Sequence, residues 1–156
     1  MIPIFIIFAL IALDQITKYI VLAKLQPVKQ VVLINGFFNL TYVENRGAAF
    51  GAMQGARWFF VILAVVVTVA VAFYYYKMEK TKQNLWLRVS LVMIVGGTAG
   101  NVIDRFFRGF VVDFLDFIIF GYDFPVFNVA DILIVIGTLI LAGYILLADI
   151  KRGDEK

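Results

Sequence analysis

The stretch from Gly96 to Asp131 carries many acids for its apolar surroundings. It reads GGTAGNVIDRFFRGFVVDFLDFIIFGYDFPVFNVAD, and its charged and amide side chains include Asn101, Asp104, Arg105, Asp113, Asp116, Asp123, Asn128 and Asp131. An ionisable group in hydrocarbon is unfavourable unless it is paired, hydrated or neutralised. Such groups therefore indicate a functional site. Two carboxylates held together in a poorly solvated place cannot both ionise easily. One then keeps a proton while the other acts as a base, which is sufficient to activate water against a peptide bond.

Asp113 and Asp131 are the two carboxylates that we expect to meet. Asp113 ends an interfacial segment and Asp131 opens the following helix, so the chain between them can double back. The alternative is that each aspartate only caps a helix or pairs with an arginine. Composition and spacing alone leave both interpretations open.

The composition indicates an integral membrane protein. The chain has 156 residues, of which 63% are hydrophobic and only 16% are charged, whereas soluble domains have roughly 45–50% apolar and about 25% charged residues. It contains no cysteine or histidine, and Ser90 is its only serine. Thiolate chemistry, Cys/His zinc sites and a Ser-His-Asp triad are therefore excluded. No metal or cofactor is expected, and the scattered basic residues do not indicate nucleic-acid binding.

Four apolar runs predict membrane-spanning helices in a single domain, at about 2–23, 58–76, 85–103 and 126–147. The predicted fold class is thus a mainly α membrane protein with four transmembrane helices. Asn35-Gly36 lies between two β-like runs and predicts a small extracytoplasmic hairpin with a type I′ turn on the membrane surface. Residues 106–124 are too charged to span and predict an interfacial segment between helices three and four. Asp14 and Lys18 share a helical face and could pair there, either as an ion pair near the membrane surface or, because Asp14 lies over halfway along the span, facing the bundle interior.

The orientation in the membrane is not set by a simple charge count. Four spans put both termini on one side, and seven basic residues fall on each side of the membrane. Their density beside the short connector at 77–88 and in the tail favours cytoplasmic termini. On that topology the acids cluster near the extracytoplasmic face.

Five short motifs follow one another along the chain. They are Asp14–Lys18 (DQITK), Asn45–Phe50 (NRGAAF), Gly96–Arg105 (GGTAGNVIDR), Val111–Phe114 (VVDF) and Phe127–Asp131 (FNVAD). Together they resemble the lipoprotein signal peptidases, also called signal peptidase II. The resemblance implies an aspartic endopeptidase of the bacterial cytoplasmic (inner) membrane. Its substrates would be diacylglyceryl-modified prolipoproteins, cut just before the lipidated cysteine, and globomycin-type peptides would inhibit it.

The same resemblance implies roles for individual residues. It makes Asp113 and Asp131 the catalytic pair. Residues expected to bind the substrate or order the site are Asp14, Asn45, Asn101, Arg105 and Asn128. Supporting positions are Lys18, Gly47, Gly97, Val111, Phe127 and Ala130. The hairpin and the loop after it would form a cradle that rests on the membrane and covers the site.

Two other functions would use different residues of the chain. A serine–lysine peptidase would need Ser90 as its nucleophile, but Ser90 lies beside the basic connector and far from every polar cluster in the sequence. A small proton- or cation-coupled transporter would use intramembrane aspartates as a relay. That function predicts acids throughout the membrane depth or a repeat between the two halves. The acids gather at one level and we find no repeat, so the transporter stays as the alternative.

Overall fold

Four long helices and one small sheet make up the described part of the chain, which in this computed structural model comprises residues 2–47 and 53–154. The helices are α1 (Ile2–Ile20), α2 (Arg57–Lys77), α3 (Leu85–Phe107) and α4 (Val129–Asp154). A π-helical turn, Val21–Leu25, continues α1. The strands are β1 (Gln30–Ile34), β2 (Phe38–Asn45), β3 (Val111–Ile119) and β4 (Tyr122–Asp123).

The four helices are each long and apolar enough to cross a membrane. Their outward faces expose large apolar side chains, such as Phe5, Phe8, Ile62 and Leu139. Contiguous apolar surface of this kind is rare on a soluble monomer but suits contact with lipid. The predicted class, a mainly α membrane protein with four transmembrane helices and a small β hairpin, is confirmed.

Helix α3 lies at the centre of the bundle and contacts the other three helices. Its glycines allow close approach, as expected for small residues at membrane helix interfaces. A Cβ at Gly96 would lie 3.0 Å from Leu10 Cβ on α1, and one at Gly97 would lie 2.9 Å from Ile134 Cγ1 on α4. The first turns of α4 therefore pack directly against the backbone of α3.

The sheet has the order β1-β2-β3-β4, and neighbouring strands are antiparallel. The predicted hairpin exists between β1 and β2, but its turn is not type I′. Of the two central residues only Gly36 has a positive φ (+73°), whereas a type I′ turn needs positive φ at both. The Phe37 N–H donates to the Ile34 carbonyl at 3.1 Å and closes the turn.

The segment between α3 and α4, predicted only as interfacial, is largely β-structure. Strand β3 pairs along β2, and β4 turns back onto the end of β3. Helix α3 also runs to Phe107 instead of Ile103, and Gly109 (φ +84°) then turns the chain away from it. The backbone of β3 finds its hydrogen-bond partners on β2, which is distant in sequence and invisible to local periodicity.

The sheet packs on the C-terminal end of α1. Its buried core consists of Val21 and Leu25 from the π-helical turn together with Tyr42, Val112 and Phe114 from the sheet. This core holds β3 beside the end of α3. This packing places the residues of β3 at the junction between the sheet and the helical bundle.

Candidate active site

The two aspartates expected to meet do line the same cavity, which encloses about 480 Å³. Asp113 lies on β3 and is 1% exposed, whereas Asp131 lies in the first turn of α4 and is half-buried. In the β2–β3 register, Val43 is opposite Asp113 and Asn45 is opposite Val111. Asn45 and Asp113 are thus diagonal neighbours on one face of the sheet.

The start of α4 is fixed by a reciprocal cap. The backbone N–H of Asp131 donates to Asn128 Oδ1 at 3.0 Å, and the Asn128 N–H donates to Asp131 Oδ2 at 3.1 Å. Helix α4 therefore begins at Val129, later than the predicted 126. Phe127 exchanges backbone hydrogen bonds with Leu115 of β3 at 3.1 and 2.8 Å, which ties the cap to the strand that carries the other aspartate.

Three asparagine side chains donate to the two carboxylates. Asn45 Nδ2 donates to Asp113 Oδ2 at 2.9 Å, and Asn128 Nδ2 donates to Asp113 Oδ1 at 2.6 Å. Asn101 Nδ2 donates to Asp131 Oδ1 at 2.8 Å. Each carboxylate thus accepts two N–H groups when the backbone bond of the α4 cap is included.

The oxygen of each amide has a separate donor, which fixes the end that faces the carboxylates. Asn45 Oδ1 accepts the Gly47 N–H at 3.0 Å. Asn101 Oδ1 accepts Lys18 Nζ at 2.9 Å and Asn128 Nδ2 at 3.2 Å. The oxygen of Asn128 is taken by the cap. The site therefore presents preset N–H donors to both acids.

A network of buried charges lies behind the cavity and joins α1, α3 and α4. Lys18 Nζ lies 3.0 Å from Asp14 Oδ2 and 3.0 Å from Asp104 Oδ2, and all three side chains are 0% exposed. Arg108 pairs with Asp104, as their spacing of four residues predicts. Asp14 Oδ1 accepts the Ala130 N–H at 3.0 Å. The expected Asp14–Lys18 pair is confirmed, and it is connected directly to the N-terminus of α4.

Arg105 lines the cavity from the side of α3. Its Nη2 donates to the Gly47 carbonyl at 3.0 Å, and its guanidinium lies 5.0 Å from the centre of the Phe60 ring. Within the described ranges it makes no ion pair with either cavity aspartate. Its positive charge faces the same space as the two acids without neutralising either by direct contact.

The pKa of Asp113 is raised from 3.8 to about 7. Burial is the largest cause, and repulsion from the Asp131 carboxylate raises the pKa further. The hydrogen bonds from Asn45 and Asn128 oppose these effects. Asp113 therefore changes its protonation state close to neutral pH, beside a second acid.

The remaining expected positions form the surroundings of the site. Val111 is 2% exposed and Ala130 is fully buried, and a Cβ at Gly97 would collide with the Ala130 carbonyl. The Phe127 ring stacks on Phe117 at a centroid distance of 5.8 Å. Phe127 lines the cavity, whereas the other supporting positions just named do not. The expected binding residues Asp14, Asn101 and Asn128 do not line it either. Ala48, Ala49 and Phe50, with most of the expected covering loop, lie outside the described residues.

Sequence reasoning missed the central position of Asp104. Beyond Arg108, Asp104 also accepts Lys18, Gln15 Nε2 at 3.2 Å and the Val112 N–H at 3.1 Å. The available signal was its spacing of three from Asn101, which puts both on one side of α3. Glu44 and Gln54 line the cavity as well, and no sequence pattern pointed to them.

The fold and the site define a polytopic membrane protein with two aspartates lining one cavity where the sheet meets the helical bundle. The model of a family described as Signal peptidase (SPase) II matches residues 6–147. The chain belongs to this family, and it is accordingly a bacterial membrane protease. The resemblance drawn from the five motifs is confirmed.

Individual relatives agree with the family. The Lipoprotein signal peptidase of Clostridioides difficile is 45% identical over 97% of this chain and 99% of its own length. That of Caldanaerobacter subterraneus is 47% identical over 86% of this chain and 88% of its own. A solved bacterial membrane enzyme structure superimposes with a TM-score of 0.83 at 36% identity, covering 99% of this chain and 90% of the other.

Proposed function

We propose that the protein is an aspartic endopeptidase that removes signal peptides from diacylglyceryl-modified prolipoproteins, cutting just before the lipidated cysteine. Membership of the family supports the cleavage of prolipoprotein signal peptides. The observation that carries the catalytic type is the shared cavity of Asp113 and Asp131, in which both carboxylates are held by amide donors.

In the proposed reaction a water molecule is bound between the two acids. Asp131 accepts a proton from the water as the water oxygen attacks the peptide carbonyl carbon, while the protonated Asp113 donates a hydrogen bond and then its proton to the carbonyl oxygen. Asp131 passes its proton to the departing amide nitrogen, and the diol returns a proton to Asp113 as the C–N bond breaks. No nucleophilic side chain, metal or cofactor takes part.

The expected binding residues fall into two groups, those that line the cavity and those that are buried behind the two acids. Asn45 and Arg105 line the cavity, so we assign them to contact with the substrate backbone. Asp14, Asn101 and Asn128 are buried behind the acids and bond to protein groups. We therefore assign these three to positioning the carboxylates and the start of α4, and not to substrate contact.

The proposed topology has cytoplasmic termini and a site near the extracytoplasmic face. Two features support this arrangement. Strand β1 is exposed along its whole length, and it carries Val31, Val32, Leu33 and Ile34. Such a strand is suited to rest on a membrane surface beside the site, where a lipid-anchored substrate arrives. The basic connector at 77–88 lies at the other end of the bundle, where the Tyr144 hydroxyl of α4 donates to Asn84 Oδ1.

The test of the function is a gel mobility-shift assay on one prolipoprotein in lipidated and unlipidated form. We expect the purified protein to shorten only the lipidated precursor, because the diacylglyceryl group would hold the scissile bond at the depth of the cavity. Globomycin is expected to block the reaction. Efficient cleavage of the unlipidated precursor would contradict the proposal, and no cleavage of either form by folded protein would do the same.

The rate of cleavage is expected to fall as the pH rises through about 7, because Asp113 must be protonated and its pKa is about 7. The same ionisation affects stability. The folded state holds this proton more tightly than the unfolded chain, so the contribution of Asp113 to folding is greatest at low pH and declines between about pH 4 and 7. Rates and thermal unfolding midpoints measured in detergent across this range test both effects. In Asp113→Asn the decline in midpoint is expected to flatten, and an unchanged slope would be evidence against the raised pKa.

A further inference from the structure

A second cavity lies at the opposite end of the bundle from Asp113 and Asp131. It is bounded by the beginning of α1, the end of α2 and the first half of α3, and it encloses about 510 Å³. Ile7, Val71 and Val95 are among the side chains of its apolar walls. We name this cavity the basic groove, because Lys80 and Arg88 stand at its mouth.

We propose that the basic groove binds one anionic phospholipid, with the phosphate at Arg88 and Lys80 and an acyl chain along the apolar walls. Since α1, α2 and α3 are membrane-spanning helices, hydrocarbon is the medium that surrounds the walls. Basic pockets between transmembrane helices on the cytoplasmic side are recurrent sites for anionic headgroups.

The groove is shallower than one leaflet of the bilayer. From Arg88 at the mouth to Val95 on the inner wall, α3 advances by seven residues, or roughly 10 Å at about 1.5 Å per residue. Half of a hydrocarbon core of about 30 Å is about 15 Å. Part of an acyl chain that enters from one leaflet fits this depth, whereas a spanning helix from another protein would need a groove along the full bundle.

Arg88 and Lys80 at the mouth of the groove are suited to bind an anion. Arg88 Nε donates to the Tyr75 hydroxyl at 3.2 Å, and the guanidinium lies 5.9 Å from the centre of the Tyr75 ring. In the ranges the structure describes, the terminal nitrogens of Arg88 have no protein acceptor. A guanidinium oriented in this way can bind phosphate through two parallel hydrogen bonds. Lys80 is exposed and adds a second positive charge.

The positive charge of the surrounding connector favours an anionic lipid over a signal peptide as the occupant of the groove. Residues 77–88 contain Lys77, Lys80, Lys82 and Arg88 against a single acid, Glu79. Lys77 Nζ lies 4.5 Å from the Phe73 ring centre, so this charge is also held near the bundle. A signal peptide begins with a positively charged segment, which these residues would repel. An anionic headgroup is attracted by the same field.

The experiment is native mass spectrometry of the detergent-purified protein with phosphatidylglycerol or zwitterionic phosphatidylcholine added at equal concentration. We expect one bound phosphatidylglycerol to be retained in preference to phosphatidylcholine. Arg88→Gln is expected to weaken that retention about tenfold, which is the size of one lost charge-assisted contact. Ala72→Phe, which fills the groove from its wall without changing charge, is expected to abolish retention.

Lys82→Gln is the matched control, because it removes the same charge from the same connector but does not line the groove. It is expected to retain the lipid as the wild type does. Lys80→Gln provides a second test if Arg88→Gln does not fold, which circular dichroism and the elution profile would reveal. Equal retention of the two lipids by the wild type would overturn the proposal. Retention in Arg88→Gln or Lys80→Gln that matches Lys82→Gln would overturn it as well.

Discussion

Asp113→Asn and Asp131→Asn are each expected to lower the rate of prolipoprotein cleavage at least about a hundredfold. General acid and base groups each contribute about 10²- to 10⁴-fold, and an amide can neither give nor accept the proton at these positions. In Asp113→Asn the new side chain also meets two N–H donors, from Asn45 and Asn128, and its own amide nitrogen can accept neither. The measurement is the initial rate of the mobility-shift assay with lipidated precursor.

A matched control is Asp123→Asn. Asp123 lies exposed on β4 in the same segment as Asp113, so this variant makes the same chemical change outside the cavity. We expect it to cleave at the wild-type rate. All three variants should keep the far-ultraviolet circular dichroism of the wild type in detergent. A folded Asp113→Asn or Asp131→Asn protein with normal turnover would remove that residue from the proposed catalytic pair.

Much of the helical fold follows from local sequence. Each span appears as an apolar run of sufficient length, and the structure places helices at all four of them. The pairing of Asp14 with Lys18 followed from their spacing of four on one helix. These features are encoded within short stretches, so composition and periodicity are enough to find them.

The other features depend on contacts between distant parts of the chain. Strand β3 looked only interfacial because its partner, β2, lies far away in sequence. The apolar run predicts too early a start for α4, because it does not show that Asn128 caps the helix. Asn101 was identified by resemblance to a family, but its contact with Lys18 on another helix has no local signature. The contacts that hold Asp113 and Asp131 beside one cavity are therefore seen in the structure and not in any short stretch of sequence.

Lys18→Met is expected to lower the free energy of unfolding by about 3–5 kcal/mol, the usual effect of removing one partner from a buried ion pair. The buried network has two cations, Lys18 and Arg108, and two anions, Asp14 and Asp104. Without Lys18 one carboxylate has no compensating charge. The measurement compares the midpoints of detergent-induced or thermal unfolding of the variant and the wild type. Lys24→Met is the control, because Lys24 is an exposed lysine beside the end of α1.

The double variant Lys18→Met/Asp14→Asn distinguishes the effect of an unbalanced buried charge from the effect of the lost hydrogen bond between Lys18 and Asn101. It restores a balanced network, because Asp104 keeps Arg108 and the amide oxygen at position 14 can still accept the Ala130 N–H. We expect it to recover much of the lost stability but not the full rate of cleavage, since Asn101 still lacks its Lys18 donor. The loss should fall mainly on kcat, because Asn101 does not line the cavity. If Lys18→Met were as stable and active as Lys24→Met, the buried network would have no part in holding the proposed catalytic pair.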